Sequence, residues 1–417
     1  MKITSVSLRR PVTVLICTAA LVFFGLSALF SMGMQRIPDI DFPIVSVTTT
    51  MTGASATIMD NDVADPIEEK LSSISGVKNI TSTSYQGVST TAVEFELEKD
   101  VDAAAADVRD KVNLAAADLP DEANTPVVQK FSSSDQAIVS IAVTGTMPYR
   151  ERAEYADKVL KSRLESVDGV GNVSTPGLRE REIRVWLDPA KLKARGLTVN
   201  DVSAAIKKRH VDLPSGSVKT ERNEFQLRLN AEYSSVDELR TLPVLVKEGA
   251  AVRLGDVARV EDGLEDRSSV AMYNGEETIL LNIARQRGTN EVTVADNILR
   301  RVEELSQSTP EGVEIKILTN TADFIRRSMK GVGSDIALAV GLCALVMLFF
   351  LQTLRATFVT VITIPVCLLG SFLFLKAFGV TINNLSMMGI SLSVGMVVDA
   401  TTVVLENIHR RMGTGIR

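Results

Sequence analysis

Asp399 is the one carboxylate in a run of apolar and small residues from Asn384 to Leu405. If the buried span covers 385–405, this side chain lies about 6 Å from its middle, at 1.5 Å of rise per residue. An ionised Asp at that depth costs at least about 2.5–3.5 kcal/mol on insertion scales, so it is expected to face a bundle interior or a wet cavity. Ser391, Gly395, Asp399, Thr402 and Glu406 follow one another at spacings of 4, 4, 3 and 4. That spacing gathers them into one polar or small stripe on a single helical face. Gly395, one turn before the acid, leaves room for a neighbouring helix or a water. A carboxyl poised between desolvation and a nearby cation can load a proton from one side and release it to the other. Asp399 and Thr402 are therefore the candidate proton relay, with Gly395 and Ser391 packing beside it. The competing reading is a packing Asp hydrogen-bonded to a partner helix. Glu406 reads as an interfacial carboxylate, Asn383 and Asn384 as helix caps, and His409 as a cation suited to the helix end.

Such an acid needs a membrane-crossing frame. Four runs without charge supply one: Val12–Met34, Ile336–Leu354, Ala356–Leu375 and Ala377–Val398, of 23, 19, 20 and 22 residues. Each is long enough to cross about 30 Å of hydrocarbon. The first exceeds a signal-peptide core and lacks a clean cleavage site, so it reads as a retained helix. Cys17, Cys343 and Cys367 all lie in these runs and behave there as small apolar residues. Lys2, Arg9, Arg10, Arg355, His409, Arg410 and Arg411 fall on one side of alternating crossings, which is the cytoplasmic side by the positive-inside rule. Residues 35–335 then face outward as one large loop with 37 basic and 49 acidic residues, net −12.

That loop reads as a duplicated α/β module. Ile44–Thr50 alternates like a strand, 54–73 reads as a helix, and 77–85 and 88–97 pair as strands around Gln86-Gly87. Residues 102–119 read as a helix and Val127–Phe131 as a last strand, giving the β-α-β-β-α-β order of the ferredoxin-like unit. The unit restarts at Ala137. Ser73-Ile-Ser-Gly-Val-Lys-Asn-Ile80 echoes Ser166-Val-Asp-Gly-Val-Gly-Asn-Val173, each at a helix-to-strand handover with Gly at the stop. Strands near Ser268–Tyr273 and Thr278–Ala284, a helix over 292–305 and a strand over 313–318 complete the second copy. About Glu180 to Gly263 is an insertion, with strands 183–187 and 225–229 and helices 189–195 and 199–208.

Other chemistries are poorly supplied. A net charge of −6 disfavours a nucleic-acid partner. His210 and His409 are the only histidines, too few for a histidine-based metal site. The chain has no P-loop, HExxH, CxxC or GxSxG motif. It is read as a non-enzyme without cofactor, whose work on a substrate must draw on an ion gradient or a partner.

At this point the chain resembles the N-terminal part of a resistance-nodulation-division efflux transporter, nearest the multidrug, acriflavine-resistance-like branch for hydrophobes and amphiphiles. The resemblance runs over essentially the whole chain. It is most specific at Gly395-Met-Val-Val-Asp399-Ala-Thr-Thr-Val-Val-Leu-Glu406-Asn407, similar to the family's GxxVDDAIVVxEN. Arg36-Ile-Pro38-Asp39, Leu351-Gln-Thr-Leu-Arg355-Ala-Thr, Ile364-Pro365-Val, Phe378-Gly379 and Ile382-Asn383 add to it. The resemblance implies an α+β membrane protein: transmembrane helices plus a large periplasmic loop of two ferredoxin-like porter subdomains with an inserted docking subdomain. The implied division is a cytoplasmic start and first helix (1–34), porter subdomain one (35–135), porter subdomain two (136–179 and 264–330) and the docking insertion (180–263). Helices at 331–354, 355–376 and 384–408 and a cytoplasmic end (409–417) follow. It further implies a multi-pass inner-membrane homotrimer in membrane lipid, a periplasmic adaptor, an outer-membrane channel and an amphiphilic small-molecule substrate.

The departures are informative. The family's second acid is Ala400 here, followed by Thr401 and Thr402; heavy-metal-exporting relatives likewise have a single acid followed by alanine. Phenylalanines of the multidrug porter pocket correspond to Asp135 and Pro176, while Lys130, Ser132, Ser133 and Ser134 keep the local pattern. The substrate pocket is accordingly expected around Lys130, Ser133, Ser134, Asp135 and Pro176. The segment 211–225, where the family has a long arm, is short. Family members are considerably longer, with a second half of matching design, so the chain is expected to be a fragment or split product. The leading reading is a proton-driven exporter subunit. The alternatives are a heavy-metal cation exporter and a non-transporting membrane-anchored secretion or assembly accessory.

Overall fold

A computed structural model describes residues 9–38, 42–209, 212–219, 224–230, 235–247, 250–267, 269–351 and 354–413. Lys2, Asp39, His210, Ser268, Gln352 and Thr353, together with the side chains of Ser133 and His409, lie outside the described residues.

After α1 (Pro11–Ser31), the first module begins with β1 (Ile44–Thr50), whose residues alternate between half-buried and buried. A helical run, α2 (56–72), follows, with Ser55 accepting a capping bond from the Ile58 N–H. Its middle, Met59–Ala64, is wound as a π-helix. β2 (Val77–Tyr85), β3 (Val88–Phe95), α3 (Val101–Ala115) and β4 (Val127–Lys130) complete the module. The sheet order is β2-β3-β1-β4. One face packs on the helices through Val45, Val47, Val93, Phe95, Ile67, Leu71 and Val108. Because β1 and β3 have period 2, the opposite face carries Ser46, Thr48 and Thr90 instead.

The second module repeats this plan with β5 (Ala137–Thr144), α4 (149–165) and β6 (Val170–Ser174). α4 also contains a π-helical stretch, Ala156–Lys161. The two echo glycines, Gly76 and Gly169, have φ of +84° and +86°, the left-handed conformation that lets each helix turn sharply into its strand.

The insertion opens with β7 (Arg181–Leu187), α5 (Pro189–Arg195) and α6 (Val199–Arg209). Asp188 caps α5 through the Ala190 and Lys191 N–H groups, and Gly196 ends it with φ +66°. β8 (Asp212–Lys219) and β9 (Glu224–Asn230) pair as an antiparallel hairpin over the segment read as a short arm. α7 (Val236–Arg240), β10 (Pro243–Lys247), β11 (Ala250–Arg253), α8 (Leu254–Val257) and β12 (Ala258–Leu264) follow. β12 returns along β7, from Ala258 opposite Leu187 to Leu264 opposite Arg181. Both ends of the insertion thus leave the module through one two-stranded ribbon, and Leu192, Val202, Leu242, Leu254 and Val257 give it a core of its own.

The expected sheet strand at Ser268–Tyr273 is not formed. β13 (Met272–Tyr273) pairs only with β14 (Glu276–Glu277) in a small hairpin. Asn274 and Gly275 turn it, with φ of +51° and +87°, the conformation that an Asn-Gly pair favours in two-residue hairpins. β15 (Ile279–Arg285), α9 (Glu291–Ser306) and β16 (Glu314–Asn320) close the second sheet, whose order is β16-β5-β15-β6. Relative to each module's own four strands, both sheets run fourth-first-third-second or its reverse, the interleaving of a split βαβ unit.

α10 (Thr321–Leu351) starts directly at the end of β16, earlier than the expected boundary at 331. Its 31 residues span about 46 Å, more than a hydrocarbon core requires. Its first turns therefore belong to the module, where the Thr321 hydroxyl donates to the Ile138 carbonyl (3.1 Å). α11 (Leu354–Ala377), with Pro365 inside it, and α12 (Asn384–Gly413) complete the chain. Four helices are thus long and apolar enough to cross a membrane. α11 packs against α1, α10 and α12. It approaches α1 closely at Gly25, where a Cβ would stand 2.2 Å from the Leu369 carbonyl oxygen.

Candidate functional site

α12 owes its start to Asn383. The Asn383 carboxamide oxygen accepts from the Ser386 N–H (2.9 Å), and the Ser386 hydroxyl accepts from the Asn383 N–H (2.9 Å). This reciprocal cap satisfies backbone donors at the helix N-terminus. The helix then packs through Met387, Ile390 and Val394, all buried, with Val397 and Val398 partly buried behind them.

At about 100° per residue, Asp399 points well away from that packed side. It is exposed, as are Ser391, Gly395 and Glu406. Only Thr402 of the polar stripe turns inward: its hydroxyl donates to the Val398 carbonyl (2.8 Å) and touches Met347 Sδ on α10 (3.5 Å). The stripe is therefore one surface, but it does not line the interior of these four helices as expected. The side that packs on α10 and α11 is instead the apolar one of Met387, Ile390 and Val394. A Cβ on Gly395 would meet nothing within 4 Å. A cleft of about 640 Å³ lies beside the stripe, lined by Leu342, Cys343, Val346, Met347, Val398, Thr402 and Glu406.

The second group of candidates sits on the modules. Lys130, at the end of β4, is paired with Asp102 on α3. The hydrogen bond from Lys130, reinforced by its charge, holds the Asp102 carboxyl below its ordinary range. Ser132 and Ser134 share a hydroxyl contact (2.7 Å), and Ser134 is buried. The Asp135 carboxylate accepts from the Ser132 N–H (3.3 Å), closing a single 3₁₀ turn over Ser133–Asp135. Pro176 is exposed in the turn Thr175–Leu178, where the Leu178 N–H donates to the Thr175 carbonyl (3.1 Å) and Gly177 has φ +78°. Pro then Gly at the two central positions is what a type II turn asks for.

Asp135 and Pro176 are thus used locally, and strand register sets their turns apart. Ala137 and Asn172 both stand opposite Ala284, so the two turns leave the sheet at opposite ends. Between them runs the open face of the second sheet, with Ser140, Asn282 and Ser174. Ser140 donates to the Asn282 carboxamide oxygen (2.8 Å), and Asn282 stands opposite Ser174 in register. Sequence reading passed over these residues. Their signal is a polar residue at alternate positions of an otherwise apolar strand (Leu280, Asn282, Ala284).

A further charged node was also missed. Asp262 on β12 accepts two bonds from Arg181 on β7 (2.9 and 2.9 Å) and one from Arg150 on α4 (2.8 Å). The Arg181 hydrogen bond, with help from Arg150 and against partial burial, holds the Asp262 carboxyl below its usual range. The node braces the insertion's ribbon against the second module. Among the described residues, no group of three or more His, Cys, Asp or Glu side chains could hold a metal ion.

Comparison with known proteins adds a family. Residues 3–416 match the model of the AcrB/AcrD/AcrF family. The chain is 33% identical over 419 residues to the multidrug resistance protein MdtC of Pectobacterium atrosepticum, covering 100% of this chain and 41% of that relative. It is 32% identical to MdtC of Escherichia coli O81, with the same coverage. The chain therefore spans about two-fifths of the length of these curated relatives.

Proposed function

The chain belongs to the AcrB/AcrD/AcrF family, and from that membership we propose that it is part of a proton-driven exporter of amphiphilic small molecules. In this reading the four helices sit in a bacterial inner membrane. The two modules are ferredoxin-like porter subdomains in the periplasm, and the insertion is the docking subdomain. The complete transporter is a homotrimer that works with a periplasmic adaptor and an outer-membrane channel.

The observation that carries the reading is Asp399, a lone carboxyl on an unpacked apolar face of α12. Met388, Leu392, Met396 and Val403 surround it on that face, all exposed. A carboxylate among such neighbours at membrane depth is too costly to leave against acyl chains. It calls for a covering surface with water or a cation, supplied by further helices of the transporter. Protonation from the periplasm would let α12 settle against that surface. Release toward the cytoplasm would restore the charge and the tilt. Thr402, which already contacts α10, is placed to pass that movement to the helix rooted in the second module.

For the substrate, the open face of the second sheet between the two turns offers hydroxyl and carboxamide groups in place of aromatic rings. This favours amphiphiles with polar groups over flat polyaromatic ones. The names of the relatives favour a multidrug over a heavy-metal substrate.

The test is Asp399→Asn in the complete transporter. Substrate-driven proton uptake into proteoliposomes should fall at least about tenfold, by the loss expected for a required proton carrier, with drug resistance falling in parallel at equal expression. Unchanged proton flux and resistance would end the proposal.

A further inference from the structure

Three segments distant in sequence converge where the membrane helices meet the second module. Gly33–Arg36, just after α1, runs beside Ile382, just before α12. The Gln35 N–H donates to the Ile382 carbonyl (3.0 Å), and the Ile382 N–H donates to the Gly33 carbonyl (2.9 Å). Met34 and Ile382 form a parallel bridge. The next residue, Asn383, is the cap of α12. On the other side of the same linker stands Glu291, the first residue of α9. Its N–H donates to the Met34 carbonyl (3.1 Å), and its Oε2 accepts from the Arg36 N–H (2.9 Å).

We propose that Glu291 is a positioning residue that couples the tilt of α12 to the second module, through a clasp on the linker after α1. Four features support this. The clasp is reciprocal, so α9 cannot leave the linker without breaking two hydrogen bonds. It is dry: Gln35, Ile382, Asn383 and Glu291 are each 5% exposed or less. A buried carboxylate depends on the hydrogen bonds it accepts, and leaving one unmade is costly. The carboxylate also sits in the first turn of α9, where the helix dipole favours it. Finally, α9 is held independently from the α10 side, where Arg326 binds both oxygens of Asp296 (2.5 and 2.5 Å). α9 is thus gripped by the linker that follows α1 and by the helix that continues from the module's own sheet. Movement of α12 relative to α10 then pulls on α9 at two points, and α9 covers the helix-facing side of the substrate sheet through Ile298 and Val302.

The use of this clasp in transport rests on the exporter reading above; the mechanical link does not. The test uses the whole chain in detergent micelles, with amide hydrogen exchange read by segment. Glu291→Asp keeps the charge but withdraws the carboxylate by one methylene from the Arg36 N–H. Glu291→Gln keeps the reach and an acceptor oxygen. The expected result is exchange about tenfold faster in E291D at both 33–36 and 382–386, from loss of one buried bond. In E291Q both segments should stay near parental rates, and α3 should be unchanged in both variants. If 382–386 keeps the parental rate in E291D, the clasp ends at the linker and the proposal fails. It fails equally if E291Q matches E291D, since the reach and the acceptor oxygen kept in E291Q would then not be what holds the linker. Efflux by the complete transporter should follow the same order, with E291D slowed at unchanged substrate affinity and E291Q restored. An active Asp399→Asn transporter beside the expected exchange pattern would remove the proton reading and leave the clasp standing.

Discussion

Two aspartates show how differently a carboxylate can be placed. Asp262 is surrounded by guanidinium groups from two elements, and its charge is matched where it stands. Asp399 has a helical neighbourhood of Met, Leu and Val, and among the described residues no hydrogen bond or ion pair reaches it. The first arrangement is a brace, and the second leaves a carboxylate on the exposed face of α12. The brace makes a pH prediction. Because the native Asp262 carboxyl titrates below its ordinary value of 3.8, its contribution is complete above that value and is lost as pH falls through the lower native one. The stability difference between the parent and Asp262→Asn should therefore be constant from pH 7 to about 5 and shrink below 3.8. A series of thermal melts reads it, and a difference that grows toward acid would contradict the assignment. Asp399 was visible from composition alone, since a charge interrupts an uncharged run. Asp262 was not, because Arg150, Arg181 and Asp262 are far apart in sequence and carry no common motif.

At the scale of elements, the apolar runs and turn residues carried most of the helix and strand assignments. Pro189–Arg195 is expected as a helix and is α5 as observed, with the Asp188 cap before a first-turn Pro and Gly196 after it. Where the assignment failed, at Ser268–Tyr273, the Asn274-Gly275 turn had been overlooked, and it confines pairing to two residues per strand. The π-helical stretches of α2 and α4 had no legible cue, since they arise from how each helix meets its sheet. Helix packing in the membrane was legible only as a possibility at any glycine. The structure separates them. Gly25→Ala must push Leu369 away or part α1 from α11, and should lower stability by about 2 kcal/mol, as overpacking does. Gly395→Ala meets open space in this chain and should stay within about 0.5 kcal/mol, as open surface positions do. Denaturant unfolding in mixed micelles compares the two, and equal losses would show that the α1–α11 crossing is not tight.

Across the whole molecule, two modules share one plan, the second is interrupted by an insertion, and both lie in the chain between α1 and α10. A surface that no single element owns results, the polar strip of Ser140, Asn282 and Ser174 on the second sheet. If that strip meets substrate, Asn282→Leu in the complete transporter should change resistance to polar amphiphiles at least about fourfold, the scale of one hydrogen bond, and should spare proton flux without substrate. Uniform loss for every substrate would point to misfolding instead. The sequence alone determined four runs long and apolar enough to cross a membrane, the repeated α/β plan and the place of a single acid within the last run, because hydrophobic runs, strand periodicity and a charge in an apolar stretch are local signals. Only the tertiary structure decided which way Asp399 faces, that Asp135 and Pro176 leave the sheet at opposite ends, and that Glu291 holds the linker beside α12. Each of those depends on strand register, on which helix faces pack together, or on backbone groups meeting from opposite ends of the chain, and no local pattern of residues encodes such meetings.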